Sequence, residues 1–478
     1  MRFIDLPADP LLAIFLDLDV EDVLALQQLC RALHEIGSLD YLWHKLVRTC
    51  NLPLDIPLGA DSATLSGQEL QAIVVKALKL DHNWRKPDAR IRRAIPIMCS
   101  DRSSVNSMHL LPGGKWLITT QCAGSYDAPH TDLILWCLDD ITSPVNVKTV
   151  PIDGYARSCQ AYYQPAQHKF TVAVTLEQSE RPEWIKVYHI SLGSPAVVTH
   201  SESLGIRPVA SDGAVYVVDD LRICGDTLGV IYRYISRQDM NFIDTIYLYL
   251  RNLVTGAAAT ITACEGRCCI HLFELFRDQY ALACRHDLPA QVSIYDIPSS
   301  IISANLESPV NFGPDHILEG TLSTRCHLPH GRSFSYEASS GSLERGIPIL
   351  STMSFSWASP EVIMNRFSPP GHETRFIGLP TFASQAFLHR PAIGDHRQLG
   401  ATGRRAVWVD SDELILRKWS ASRHCRGETL SAGATVLTPP TSGLPFEQRE
   451  IYRIAFDEAT CRLCISLRTG ELYVCDVL

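Results

Sequence analysis

One six-residue pattern, apolar–any–apolar–bulky–any–apolar, recurs along the chain and constrains its fold more than any other feature. It reads LILWCL from Leu133, IKVYHI from Ile185, IYLYLR from Ile246, VSIYDI from Val292, LILRKW from Leu414 and LYVCDV from Leu472. Successive starts are 52, 61, 46, 122 and 58 residues apart, and the gap of 122 is about two periods. A degenerate copy near MSFSW at Met353 would make seven, spaced about 56 residues apart. Within each copy the apolar period is 2, as in a strand. A pair of β-sandwiches is the alternative architecture, but it does not predict a repeat that runs to the last residues.

A strand that repeats in this way is expected to be the third of a propeller blade. The flanking sequence supplies the partner strands. LLPGGKWLITT (Leu110–Thr120) sets Pro-Gly-Gly between two apolar runs. Ala455–Val477 reads as three strands with turns at Asp457–Thr460 and Thr469-Gly470. The endings Tyr295-Asp296-Ile297 and Cys475-Asp476-Val477 resemble worn WD-repeat endings, without the Gly-His pair and mostly without Trp-Asp. The long spacing implies long inter-strand loops, above all across the Pro-, Ser-, Gly- and His-rich region 300–400. A strand near Ile91–Met98 would close the ring by joining the last blade.

The first fifty residues follow a different period. Leu11, Ile14, Phe15 and Leu18 recur at helical spacing, with Pro7 and Pro10 in or before the first turn. A second helix is predicted from an N-cap at Asp19, with Val23, Leu26, Cys30 and Leu33 on its apolar face. A third is predicted from Ser38, carrying Leu39, Leu42, Trp43, Leu46 and Val47. Three helices this short bury too little surface to stand alone. The order Leu6-Pro7-x-Asp9, Leu11-Leu12-x-Ile14-Phe15, Leu18, Asp22, Leu24, Leu29-Cys30, Leu42-Trp43 resembles the F-box, without a gap. It departs at Pro10, where a helix former is usual, and at Leu33, which replaces an aromatic. The resemblance implies docking onto a Skp-type adaptor and through it a cullin. It places Leu6, Pro7, Leu11, Ile14, Leu18, Leu24 and Cys30 in or near that interface, and leaves Trp43 to hold the third helix in place. The plain alternative is a helical cap packed on its own C-terminal domain.

Between these regions, the two-proline stretch NLPLDIPLGA reads as a loop. Ser66 and Glu69 then have capping-box spacing, flanked by a staple pair Leu65 and Leu70, and predict a helix over about 66–80. Next, Arg85, Lys86, Arg90, Arg92 and Arg93 face one acid, Asp88. This is read as a solvated linker entering an outer edge strand rather than as a nuclear-localisation patch.

The net charge of −9 and pI near 6.0 argue against nucleic-acid binding as the main task. Sixteen irregularly spaced cysteines, no Asn-x-Ser/Thr sequon and no apolar run of ~18–20 residues point to a reduced, intracellular, membrane-free setting, cytoplasmic or nuclear. Cys264, Cys268, Cys269 and His271 are the densest soft-ligand cluster, but their spacing is not that of zinc knuckles. Cys461 and Cys464 have Cys-x-x-Cys spacing, yet on a period-2 strand they would face apart. No phosphate-loop, Gly-x-Ser-x-Gly or HExxH motif is present.

The expected molecule is thus an α+β multidomain protein: a three-helix F-box (1–50), a linker with one amphipathic helix (51–90) and a mostly antiparallel seven-bladed propeller (91–478). No catalytic residue, metal or cofactor is expected. The resemblance implies a substrate receptor of an SCF-type ubiquitin ligase with an unknown protein target and unknown target-binding residues. The alternatives are a propeller scaffold without ubiquitination and a propeller enzyme with a helical cap.

Overall fold

The computed structural model describes residues 6–50, 52–57, 60, 62–86, 91–97, 104–123, 130–164, 167–177, 184–192, 196–205, 215–236, 243–265, 270–275, 279–284, 291–302, 317–318, 321–327, 334–344, 347–356, 361–367, 382–383, 397–400, 404–409, 416–420, 433–437 and 443–477. No helix among these is long and apolar enough to cross a membrane.

Four short helices open the chain: α1 (Ala8–Asp17), α2 (Val20–Gln27), α3 (Arg31–Gly37) and α4 (Asp40–Thr49). The single helix expected from Asp19 to Leu33 is two, because Cys30 is fully extended (φ −162°, ψ 165°) and caps α3 instead of continuing α2. Asp19 does occupy the N-cap of α2, but its side chain makes no capping bond there. The predicted third helix is α4, capped by Leu39 rather than Ser38. A longer helix, α5 (Gly67–Arg85), follows with the predicted capping box. Ser66 Oγ accepts from Glu69 N–H, and the Glu69 carboxylate accepts from Ser66 N–H at 2.8 Å. The helix runs five residues past the expected end and stops at Lys86, just before Pro87.

The rest of the described chain forms seven sheets, each antiparallel among its four main strands. Blade 1 is Ser104–Leu110, Trp116–Ala123, His130–Cys137 and Val145–Asp153. Blade 2 is Tyr155–Gln164, Lys169–Glu177, Trp184–Ser191 and Val197–Gly205. Blade 3 is Val215–Cys224, Thr227–Ser236, Ile243–Asn252 and Ala258–Glu265, with Ile317–Leu318 added in parallel at its outer edge. Blade 4 is Ile270–Leu275, Gln279–Cys284, Gln291–Asp296 and Thr321–His327. Blade 5 is Phe334–Glu344, Ile347–Ser356, Glu361–Phe367 and Phe382–Ala383. Blade 6 is Arg397–Leu399, Arg405–Val409, Leu416–Ser420 and Gly433–Val436. Blade 7 is Ile451–Asp457, Arg462–Leu467 and Leu472–Val477, completed by Ile91–Ile97.

Two observations make these sheets a closed ring. The first strand of each blade contacts the first strand of the next, from blade 1 round to blade 7 and back to blade 1. The early strand Ile91–Ile97 pairs antiparallel with Leu472–Val477, so the two ends of the propeller share one sheet. This is the closure expected from the sequence, and it leaves the basic stretch entering an outermost strand.

Neighbouring blades also explain the repeat. In blade 1, Leu133 and Leu135 pack into a cluster with blade 2, while Ile134 and Trp136 pack into one with blade 7. In blade 7, Leu472 and Val474 face blade 1, while Tyr473, Cys475 and Val477 face blade 6. A third strand is buried on both sides, so its apolar residues run on instead of alternating with polar ones. The described residues of each of the six copies lie along a third strand, as expected; Leu414 and Ile415 of one copy lie outside the described residues. The seventh expectation is corrected: Met353 belongs to the second strand of blade 5, and the third strand is Glu361–Phe367. Pro112–Lys115 forms the predicted hairpin turn, with Gly113 (φ 85°) and Gly114 (φ 62°) in the left-handed region.

Candidate docking site and its joint to the propeller

The four short helices and the first half of α5 share one core: Leu11, Phe15, Val23, Leu33, Leu42, Trp43, Leu46, Leu70 and Val74. Trp43 is fully buried and its Nε1–H donates to Gly37 O at 2.8 Å, which fastens α4 to the end of α3 as expected. Buried Gln27 also donates to Gly37 O and accepts from Gln71 of α5 at 3.0 Å. Asp40 Oδ1 accepts from Gly67 N–H at 2.7 Å, docking the start of α5 on α4. A side chain at Gly67 would place its Cβ 2.6 Å from Asp40 Cα, so only glycine permits this approach.

The structure sorts the predicted interface residues into three groups. Leu11 is interior, 3% exposed, and serves the core. Leu6, Leu18, Leu24 and Cys30 are half-buried at the margin of the same core. Pro7 is exposed, and half-buried Ile14 stands outside the core cluster. Three apolar residues outside the predicted set are more prominent: Leu29 (70% exposed), Leu39 (44%) and Tyr41 (53%). They make up three of the seven exposed large hydrophobics among the described residues, and they fall within thirteen positions. Helical periodicity misses Leu29, which lies at the α2–α3 break, and puts Leu39 on the apolar face of the third helix, whereas Leu39 is the exposed N-cap of α4.

The second half of α5 belongs to another core. Leu80 and Trp84 pack with Val407, Leu416, Phe456, Cys461 and Leu463 of blades 6 and 7, and Trp84 stacks on Phe456 at 5.4 Å. Two buried cations on blade 6, each 1% exposed, meet the helix there. Arg405 pairs with Asp81 at 3.2 Å and donates to Glu458 O at 2.7 Å, while Asp81 also pairs with Arg85 at 2.8 Å. Burial opposes the Arg405 charge, but Cys461, Asp81 and Glu458 outweigh it and raise its pKa. Lys418 Nζ donates to Trp84 O at 2.5 Å and Lys86 O at 2.8 Å, and lies 5.5 Å from the Trp84 ring centroid. A cation on the last carbonyls of a helix satisfies groups that the helix leaves open and matches its dipole. A third contact comes from the loop before α5, where Asp55 pairs with Lys76 at 2.6 Å and sits over Gly113 of blade 1.

The thiols of Cys461 and Cys464 fall in different clusters, one facing blade 6 and one facing blade 1. Burial pushes them up to about 11 and about 12, which makes both poor nucleophiles at neutral pH. Of the soft-ligand cluster at 264–271, Cys268 and Cys269 lie outside the described residues, and no group of metal-binding side chains stands among those described.

A family model described as F-box-like matches residues 3–49. No curated protein matches the chain. Similar solved structures include an oligogalacturonate lyase in complex with manganese, 13% identical, with a TM-score of 0.42 over 82% of this chain and 98% of that one. A mitotic checkpoint complex chain is 11% identical, with a TM-score of 0.40 over 81% and 95%. A putative 6-phosphogluconolactonase from Bacteroides uniformis is 8% identical, with a TM-score of 0.41 over 70% and 85%. Likeness at this level carries no argument about activity, and the propeller rests on its own sheet order. The chain thus carries an F-box-like domain at residues 3–49, and its α5 helix joins that domain to a divergent seven-bladed propeller.

Proposed function

We propose that this chain is the substrate-receptor subunit of an SCF-type ubiquitin ligase, working in the cytoplasm or nucleus. The observation that carries this reading is the F-box-like domain with Pro7, Leu29, Leu39 and Tyr41 exposed and Ile14 half-buried. Large apolar side chains at that density mark a protein contact, and aromatic residues are favoured anchors in such contacts.

In this reading the helices dock on a Skp-type adaptor, the adaptor reaches a cullin, and the propeller holds a target protein. The chain supplies no catalytic group. It raises the effective concentration of the target near a charged ubiquitin-conjugating enzyme. Membership of α5 in both cores supports a fixed distance between the two ends, which such a mechanism requires.

The test is reconstitution. The purified chain, adaptor and cullin should co-elute, and the assembly should ubiquitinate proteins captured by the propeller. Co-elution without transfer to any captured protein would leave a scaffold. Failure of the chain to bind the adaptor would remove the reading altogether.

A further inference from the structure

The loop before α5 ties the helical unit to the propeller away from the clamp on the last turns of α5. On the helical side, Leu54 packs at the margin of the helical core, and Asp55 pairs with Lys76 of α5 at 2.6 Å. On the propeller side, Asp55 reaches the first hairpin turn of blade 1, where its Oδ1 lies 3.4 Å from the place a Cβ on Gly113 would take. The same turn is gripped from blade 7. Gly113 N–H donates to Asp457 Oδ1 at 3.2 Å, and Thr460 donates to Asp457 Oδ2 from both its N–H and its hydroxyl. Arg462 donates to Gly114 O at 2.7 Å.

Two carboxylates from different parts of the molecule therefore converge on one glycine turn, and only one of them has a counter-ion. Asp457 is 6% exposed and forms no ion pair among the described residues. The charges around it are engaged elsewhere. Lys115 pairs with Asp139 at 2.6 Å, Arg462 pairs with Asp476 at 2.9 Å, Lys76 is held by Asp55, and Glu458 accepts from Arg404 N–H and Arg405 N–H at 2.7 Å. The nearby thiols of Cys461 and Cys464 are pushed up by burial to about 11 and about 12, so they are uncharged at neutral pH. A buried carboxyl beside a second carboxylate keeps its proton to higher pH, and burial, with Asp55 adding to it, raises Asp457 to about 6.

We propose that this contact is a proton-operated latch: with Asp457 neutral the loop seats on the Gly113 turn, and with Asp457 ionised its repulsion of Asp55 releases the loop. The seated state is the one that holds the proton, so seating is favoured at low pH and is lost as pH rises through about 6. The clamp of Arg405 and Lys418 on α5 contains neither carboxylate and stays closed in both states. The latch thus changes how firmly the helical unit is held, not whether it is attached. The proposal does not rest on adaptor docking.

The experiment is hydrogen exchange on the full chain at about pH 5 and about pH 7.5, corrected for the intrinsic pH dependence and read by mass spectrometry in peptides covering 52–57 and 111–116. Protection there should fall about tenfold at the higher pH, while the last turns of α5 stay protected at both. Asp457→Asn removes the charge and should keep protection high at both values. Asp55→Asn removes the repulsion from the other side, so the pH dependence should shrink there too, which keeps the test open should Asp457→Asn disturb the turn. Equal protection at both pH values in the unchanged chain would overturn the proposal. So would a pH-dependent loss that persists in both variants, or one that spreads to α5 and the blade cores, since that would report a general loosening of the fold.

Discussion

The helical unit and the propeller expose their few large apolar residues in different ways. On the propeller, Val145, Tyr155, Val197 and Val254 are spread over blades 1, 2 and 3, the three valines each at or near the turn from the third to the fourth strand. On the helical unit, Leu29, Leu39 and Tyr41 crowd into one short segment. Isolated surface apolar residues are ordinary, whereas three within thirteen positions of a domain with a small core fit the docking face proposed above. The ring completes itself by sharing a sheet between its two ends. The helices borrow α5 for their core and still leave an apolar surface open.

The contrast can be broken most forcefully at α5. Trp84→Ala empties the blade 6–7 end of the helix and should cost about 3–5 kcal/mol, read by chemical denaturation. Trp43→Ala should cost a similar amount but act on the helical unit, so adaptor capture should fall only in that variant. Equal loss of capture in both would mean that the two cores are not separable.

A pH series sharpens the comparison at the seam between blades 7 and 1. Asp457 accepts from Gly113 N–H at 3.2 Å and Thr460 N–H at 3.0 Å, and burial, with Asp55 adding to it, raises its pKa to about 6. The folded value lies above the unfolded one. Its stabilising contribution is therefore complete below about pH 4 and is lost as pH rises through 6, by up to ~3 kcal/mol. Asp457→Asn should flatten that part of the stability profile, and an unchanged slope between pH 4 and 7 would reject the assignment.

Lys418→Met is expected to cost about 1–3 kcal/mol, because the Trp84 and Lys86 carbonyls lose a charged donor inside the protein. Hydrogen exchange should accelerate in the last turn of α5 and not in its first. The smallest effect is expected for Ser66→Ala, about 1 kcal/mol, from loss of the capping box at the other end of the same helix. There the exchange pattern should reverse.

The parts legible from sequence were those written locally. Ring closure by Ile91–Ile97 rests on a pairing with Leu472–Val477, far away in sequence, whereas six third strands were locatable from the repeat and α5 from its capping box. The copy in blade 5 was not, because VIMNRF carries Asn365 where the pattern has a bulky residue, while Met353–Ser356 in the neighbouring strand imitates the pattern. The break between α2 and α3 was hidden because Cys30 and Leu33 continue the helical spacing of Val23 and Leu26. Arg405 and Lys418 read as ordinary strand charges. Their partners, Asp81 and Trp84, lie 324 and 334 residues away, beyond any local pattern. Among the predicted interface residues, Leu11 showed why apolar spacing alone cannot separate core from surface.

The central claim is tested most directly by titrating the full chain with a purified Skp-type adaptor in a calorimeter, beside two charge-insertion variants. Leu29→Asp with Tyr41→Asp should abolish binding, whereas Val145→Asp with Val197→Asp should leave it unchanged, both variants remaining folded. Failure of the intact chain to bind, or equal loss in both variants, would contradict the assignment of the helical surface as the docking site.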